Sequence, residues 1–182
     1  VDIINHFKPK YFLLENVVMK QAYQDIISQK LGVQPILINS ADITPQNRRR
    51  LYWTNIPGFS AGPTPTNPLL STVLLPPSQV NPKYLITPAH QKRIDNSDDV
   101  KKGFTKIDPT KAVCMTARQF ANWKGTYITT SQGLRKLTPV ECERLQTLPD
   151  DYTCAVADGH RYRSLGNGWT VDVISHIFSL IP

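Results

Sequence analysis

Glu15-Asn16 closes a short apolar run, Tyr11 to Leu14, and so sets a carboxylate and an amide at the C-terminal edge of a candidate strand. In open α/β sheets that edge is where ligands bind. Gln46, Arg48 and Arg50 alternate along a later run. If that run is extended, they share one face with Tyr52, and Arg49, Leu51 and Trp53 take the other. Arginines there offer fixed positive charge and donors only. Asn167, Gly168 and Trp169 precede a last apolar stripe, and a helix N-terminus with small residues suits a carboxylate or polar ligand. Taken one at a time, Glu15 reads equally as a solvated acid, and the basic triplet as a solvated edge strand. Cys114, Cys142 and Cys154 form no CxxC, and His6, His90, His160 and His176 have no ligand-like spacing, so no metal is expected.

The elements that would position these groups are legible at each end of the chain. A strand at Tyr11–Leu14, a helix over Val18–Leu31 stopped by Gly32, and a strand at Pro35–Ile38 form a βαβ unit read as parallel. Arg48–Trp53 is a third strand. From Gly58 to Gly133 the chain is punctuated by proline, and Gln91–Lys106 is dense in both charge signs. Loops and short strands are expected there. Order returns at Leu134. Thr138-Pro139-Val140-Glu141 has the capping-box pattern with proline at the first helical position, and predicts a helix through Gln146. A last helix is predicted over Thr170–Leu180, opened by Gly166-Asn167-Gly168.

The chain has 182 residues, 40% hydrophobic, with a net charge of +7. No apolar run approaches the ~18–20 residues of a membrane span. The positive charge permits an anionic partner such as nucleic acid. The odd cysteine count fits a reducing compartment.

Four segments occur in one order: Glu15-Asn16-Val17; Gln46-Asn47-Arg48-Arg49-Arg50; Arg135 through Gln146 with Pro149-Asp150; and Gly166-Asn167 with Val171 and Val173. Together they resemble the C-terminal half of a DNA (cytosine-5)-methyltransferase, matching that family's sixth, eighth, ninth and tenth motifs. The family's first motif, a glycine-rich cofactor loop, and its fourth, the Pro-Cys nucleophile, have no match. The cysteines here follow Val113, Glu141 and Thr153.

The resemblance implies an α/β fold: the C-terminal half of a Rossmann-like sheet with flanking helices, plus a small irregular lobe. It divides the chain into a catalytic-core part (residues 1–57), a target-recognition region (58–133), and a capped helix with the closing helix of the core (134–182). It implies methyl transfer from S-adenosylmethionine to C5 of a flipped cytosine in double-stranded DNA. Glu15 would hold the ring N3, Arg50 the base O2, and Arg48 the nucleophile loop or a phosphate. Asn16, Gln46, Arg118, Arg135 and Lys136 are the implied DNA contacts. Gln119, Asn122, Trp123, Lys124, Arg161 and Arg163 are further candidates. Asn167, Gly168 and Trp169 would face the cofactor, most of whose site is expected in the absent half. The chain alone is expected to be inactive, and to pair with the complementary half in cis, with a second chain, or with itself. Alternatives are the smaller subunit of a split enzyme, a non-catalytic DNA-binding module, and an RNA methyltransferase of the same architecture. The style of the motifs suggests a bacterial or phage protein in the cytoplasm, or a nuclear one if eukaryotic.

Overall fold

The computed structural model describes the backbone of residues 1–182 and the side chains of all but 121 and 122. A short helix α1 (Asp2–Phe7) leads into β1 (Leu13–Val17), α2 (Gln21–Leu31), β2 (Ile36–Asn39) and β3 (Arg49–Thr54). The sheet order is β1-β3-β2, with β3 antiparallel to both neighbours. The βαβ expectation is therefore corrected in one respect. β1 and β2 do point the same way, but β3 inserts between them. Leu51, Tyr52 and Trp53 are apolar on both faces of β3 and at most 4% exposed, so this strand gains most from the central place. One face carries α2, where Ser28 Oγ accepts from Trp53 Nε1 at 2.9 Å. Gly32 ends α2 at φ 70°, a left-handed stop that favours glycine.

The edges of these elements also shift. β1 begins at Leu13 rather than Tyr11 and runs on through Val17, because its ladder with β3 continues to the pair Val17–Arg50. Glu15 thus lies inside the ladder, opposite Tyr52, and not beyond its end.

The proline-rich middle contains one-turn 3-10 segments at Leu70–Thr72, Pro77–Gln79 and Pro82–Tyr84, then α3 (Pro88–Asp95), α4 (Asp98–Lys101), β4 (Lys106–Ile107) and α5 (Gln119–Asn122). Helix α3 runs against the expectation of loops. Thr87 caps it by accepting from His90 N at 3.2 Å, with Pro88 in its first turn. β5 (Thr126–Thr130) and β6 (Gly133–Lys136) form an antiparallel hairpin, and β4 adds in parallel to give the order β4-β5-β6.

Helix α6 (Pro139–Leu145) carries the full capping box between Thr138 and Glu141. Helix α7 (Asp158–Asn167) was not foreseen, and it corrects the reading of Gly166-Asn167-Gly168. Gly166 and Asn167 end α7, and α8 (Val171–Phe178) starts three residues after Gly168. The close approach expected of this segment is real. A Cβ on Gly166 would lie 2.3 Å from the carbonyl of Thr116.

The apolar interior falls into two clusters. Leu70, Tyr84, Ile94, Trp123 and Tyr127 pack with Leu137, Leu145, Tyr162 and Leu165. Ile38, Tyr52 and Ile56 pack with Val173, Ile174 and Ile177 of α8. Helices α6 and α7 therefore share a core with the middle of the chain, and a boundary at 133/134 falls inside the β5–β6 hairpin. α8 covers the face of the first sheet opposite α2. Among the described residues, no helix is long and apolar enough to cross a membrane, and no group of His, Cys, Asp and Glu could hold a metal.

Candidate active site

The β1–β3 register pairs Val17 with Arg50 and Glu15 with Tyr52. Glu15 and Arg50 are thus diagonal neighbours on one face, within reach of long side chains. Arg50 Nε lies 2.8 Å from Glu15 Oε1, and the two side chains are 14% and 17% exposed. The approach is not aligned as a hydrogen bond, and Glu15 Oε1, itself buried, has no hydrogen-bond partner among the described residues. Arg50 Nη1 donates to its neighbour's carbonyl, Arg49 O, at 2.9 Å.

Arg48 lies deeper, 3% exposed. Its Nη2 donates to Gly168 O at 2.6 Å and its Nη1 to Met115 O at 3.2 Å. It therefore bolts β3 to the loop before α5 and to the α7–α8 turn. Burial pulls its pKa below the usual guanidinium value. Nearby Arg50 adds to that, while Cys114, Glu15 and Tyr52 oppose it. Burial, reinforced by Glu15, pushes the Tyr52 hydroxyl up to about 12.

The expected catalytic trio of Glu15, Arg48 and Arg50 comes together on one face, and Arg49 faces away into solvent. Asn16 Oδ1 accepts from Val17 N at 2.8 Å, a local turn contact. Gln46, expected at DNA, is 0% exposed. Its amide donates to Leu145 O at 3.1 Å and accepts from Met115 N at 3.0 Å, so it ties strand to loop and reaches no surface. Arg135, also expected at DNA, is 3% exposed and grips Glu141 with two bonds of 2.7 and 2.8 Å. Both corrections have one cause: partners inside the fold, 99 residues away for Gln46 and six for Arg135, satisfy these polar groups.

Lys136 lies over the rings of Trp123 and Tyr162, 5.8 and 5.7 Å from their centroids. Burial lowers its pKa. Arg161 is likewise no phosphate contact, for it pairs with Glu143 at 2.8 Å. Gln119 and Trp123 are buried, 4% and 3% exposed. Lys124 is exposed and pairs with Asp99 at 3.1 Å. Arg118 and Arg163 are exposed. The side chain of residue 122 lies outside the described residues. At the α7–α8 turn Asn167 is exposed and Trp169 is 47% exposed, while the Gly168 carbonyl is already taken by Arg48.

One residue was overlooked. Cys114 Sγ sits 3.6 Å from Arg48 Nη1 and 3.7 Å from Arg50 Nη2. Its only sequence signal is its place in the run Ala112-Val113-Cys114-Met115, which joins the Gln46 segment by an isolated parallel bridge at Ala112. Cys142, by contrast, is fully buried in the core, and burial raises its thiol well above the usual value.

The family model of the C-5 cytosine-specific DNA methylases matches residues 71–182. The chain belongs to this family. It is 28% identical to the type II methyltransferase M1.ScrFI of Lactococcus lactis subsp. cremoris, over 96% of this chain and 52% of that protein. It is 25% identical to the type II methyltransferase M.HpaII of Haemophilus parainfluenzae, over 95% of this chain and 60% of that protein. The chain therefore spans between half and three-fifths of the length of these curated relatives. Among solved structures, the S. pombe Dnmt2 methyltransferase matches with a TM-score of 0.70 at 18% identity, covering 94% of this chain and 67% of that one. The Entamoeba histolytica methyltransferase EhMeth matches at 0.69 and 20%, covering 94% and 62%. The fold of this family member is accordingly the α/β methyltransferase fold: part of a Rossmann-like mixed sheet with helices on both faces, beside an irregular lobe.

Proposed function

We propose that this chain is the C-terminal portion of a DNA cytosine-5 methyltransferase, and that it supplies the base-holding half of the active site. The observation that carries the reading is the Glu15–Arg50–Arg48 cluster. It combines a carboxylate with an unsatisfied oxygen, a half-committed guanidinium and a fully anchored one, all on one sheet face.

Carbon 5 of cytosine is a weak nucleophile, and addition of a thiolate at C6 makes it reactive. Charge then builds on the ring, and a donor or proton at N3 relieves it. Glu15, once protonated, donates to N3 through one oxygen and accepts from the exocyclic amine through the other. Arg50 donates to O2. Arg48, tied to Met115 and Gly168, keeps strand, loop and turn in register around the base. The base reaches this face by leaving the duplex. None of the three cysteines stands in the Pro-Cys context of the family's nucleophile, so the thiolate comes from a complementary segment, in cis or on a second chain.

S-adenosylmethionine, the family's cofactor, supplies the methyl group when bound. On this chain the free amide of Asn167 and the half-exposed indole of Trp169 fit one edge of it. Gly168 contributes through its backbone turn, since its carbonyl is committed to Arg48. The division into a core part, a recognition region and a closing helix is proposed on the same footing. Exposed Arg118 is the surface candidate for DNA contact.

The surface also suits a complementing partner. β1 is an edge strand, and Ile3, Phe7, Val17, Val18, Tyr23 and Ile26 are exposed around it, between 47% and 75%. Unpaired edges and apolar patches of this kind invite pairing.

The test is reconstitution. The chain, mixed or co-expressed with a segment carrying the glycine-rich loop and Pro-Cys, is assayed for methyl transfer to mixed-sequence duplex DNA. The expected result is no activity from the chain alone, activity from the pair, and at least ~100-fold loss in Glu15→Gln or Arg50→Ala. Methyl transfer by the chain alone, or full activity in both variants, overturns the proposal.

A further inference from the structure

The overlooked thiol has every one of its bonding positions in use. The Cys114 S–H donates to Met115 O at 3.4 Å, and the sulfur accepts from Arg48 Nη1 at 3.6 Å and from Arg50 Nη2 at 3.7 Å. Its backbone is pinned on both sides. Val113 N donates to Thr126 Oγ1 at 3.0 Å, and Met115 N donates to Gln46 Oε1 at 3.0 Å. The sulfur therefore stands at a fixed point between two like charges.

The two guanidiniums depend on it unequally. Arg48 has carbonyl acceptors at Met115 and Gly168 as well. For Arg50 Nη2, the sulfur is the hydrogen-bond partner among the described residues. Sulfur is a weak acceptor. A donor held this way is oriented but cheaply released to a better acceptor.

We infer that Cys114 is a positioning residue of the candidate site: its sulfur holds Arg50 Nη2 on the Glu15 face and yields it to an acceptor oxygen on the incoming base. The inference rests on the reading of the Glu15–Arg50 face as the base-holding site. Cys114 itself forms no bond to substrate and undergoes no chemistry. With Glu15 at Nε and the Arg49 carbonyl at Nη1, it completes the fixing of a guanidinium that would otherwise cost conformational entropy to orient on binding.

The experiment compares wild type, Cys114→Ala, Cys114→Ser and Arg50→Ala. The first readout is arginine side-chain NMR on the ¹⁵N-labelled chain, with Arg48 as internal reference. In Cys114→Ala the Arg50 guanidinium should rotate about fivefold faster, the size of one ordinary net hydrogen bond, as suits a weak sulfur acceptor, with Arg48 unchanged. Cys114→Ser keeps an acceptor, set back by its shorter C–O bond, and should fall between. The second readout is methyl transfer by the reconstituted pair. kcat should fall by roughly five- to tenfold in Cys114→Ala with KM for DNA within about twofold, the pattern of an interaction used at the transition state. An unchanged Arg50 signal overturns the inference. So does a faster Arg50 without loss of kcat while Arg50→Ala is inactive, for the thiol would then be structural packing alone. Full activity in Arg50→Ala removes the underlying site reading instead, and the NMR readout tells that failure apart.

Discussion

Two groups of arginine–glutamate pairs lie in this molecule, and they are built to opposite rules. Around α6, Glu141 and Glu143 are 0% exposed and saturated. Glu141 accepts from both Arg135 nitrogens, from Thr138 N at 2.7 Å and from Leu75 N at 2.9 Å. Glu143 accepts from Arg161, from Asp151 N at 2.8 Å, and from both the amide and the hydroxyl of Thr153. On the β1–β3 face, Glu15 keeps an oxygen without an aligned donor, and Arg50 has sulfur where an oxygen would bind harder. The saturated pairs hold the fold. The unsaturated pair leaves capacity for something that is not protein. Buried polar groups are normally satisfied, so an unsatisfied one points to use.

Removing a saturated partner should do the most damage. Glu143→Ala removes the buried carboxylate from Arg161, which keeps only Thr153 Oγ1 and a 3.4 Å contact to Asp151 among the described residues, and from three further donors, and should cost about 3–5 kcal/mol in urea unfolding. A loss below ~1 kcal/mol would place Glu143 among ordinary exposed ion pairs.

The two regions should also fail at opposite ends of the pH scale. Burial pushes Glu143 up, but hydrogen bonds from Thr153 and Arg161 outweigh it, and the carboxyl ends below its ordinary 4.5. Its folded pKa is depressed, so its contribution is whole above pH 4.5 and fades as pH falls through the lower folded value. Tyr52 runs the other way. Its hydroxyl moves from 10.0 to about 12, so the folded state keeps a proton that the unfolded state has lost. Stability should fall by about 2–3 kcal/mol as pH rises across that window, followed by tyrosinate absorbance and unfolding midpoints together.

Gly166→Ala probes the seam between the regions. The new methyl would press into the Thr116 carbonyl. Overpacking should outweigh the gain in helix propensity and leave a net loss of about 1–2 kcal/mol. Smallest of all, Glu15→Gln should move stability by less than ~1 kcal/mol, because its ion pair is partly exposed and poorly aligned. Under the proposed function its effect falls on methyl transfer instead. A large stability loss in this variant would place Glu15 with the saturated pairs.

How much of this was legible in the residues depends on range. The alternation of Arg48, Arg50 and Tyr52, the capping box at Thr138–Glu141 and the stop at Gly32 are local patterns, and each appears in the fold. The insertion of β3 between β1 and β2 is not local, for nothing in Arg49–Thr54 says which strands will flank it. Gln46 reads as a surface contact because its partner Leu145 becomes a neighbour only through packing, whereas Arg135 finds Glu141 six residues on, across the turn from β6 into α6. The partner of Gln46 lies 99 residues away. Helix α7 hid behind Gly159 and Gly166, which weaken a helical pattern whose apolar face is Tyr162 and Leu165. Cys114 gave no warning, since a lone cysteine in an apolar run usually packs as a small hydrophobe.

The bond from Arg48 to Gly168 spans 120 residues of sequence. At about 5–20 residues per second, a ribosome needs roughly 6–24 s to travel that distance. Throughout that interval Arg48 lacks its strongest acceptor, and β3 carries an unclamped cation. The Arg48–Gly168 clamp is thus among the later features of the fold to form during synthesis. A product that stalls short of Gly168 carries the whole first sheet and the proline-rich middle, yet lacks this clamp. Nascent chains halted before and after that residue, and probed with a thiol reagent at Cys114, would show the moment the site closes.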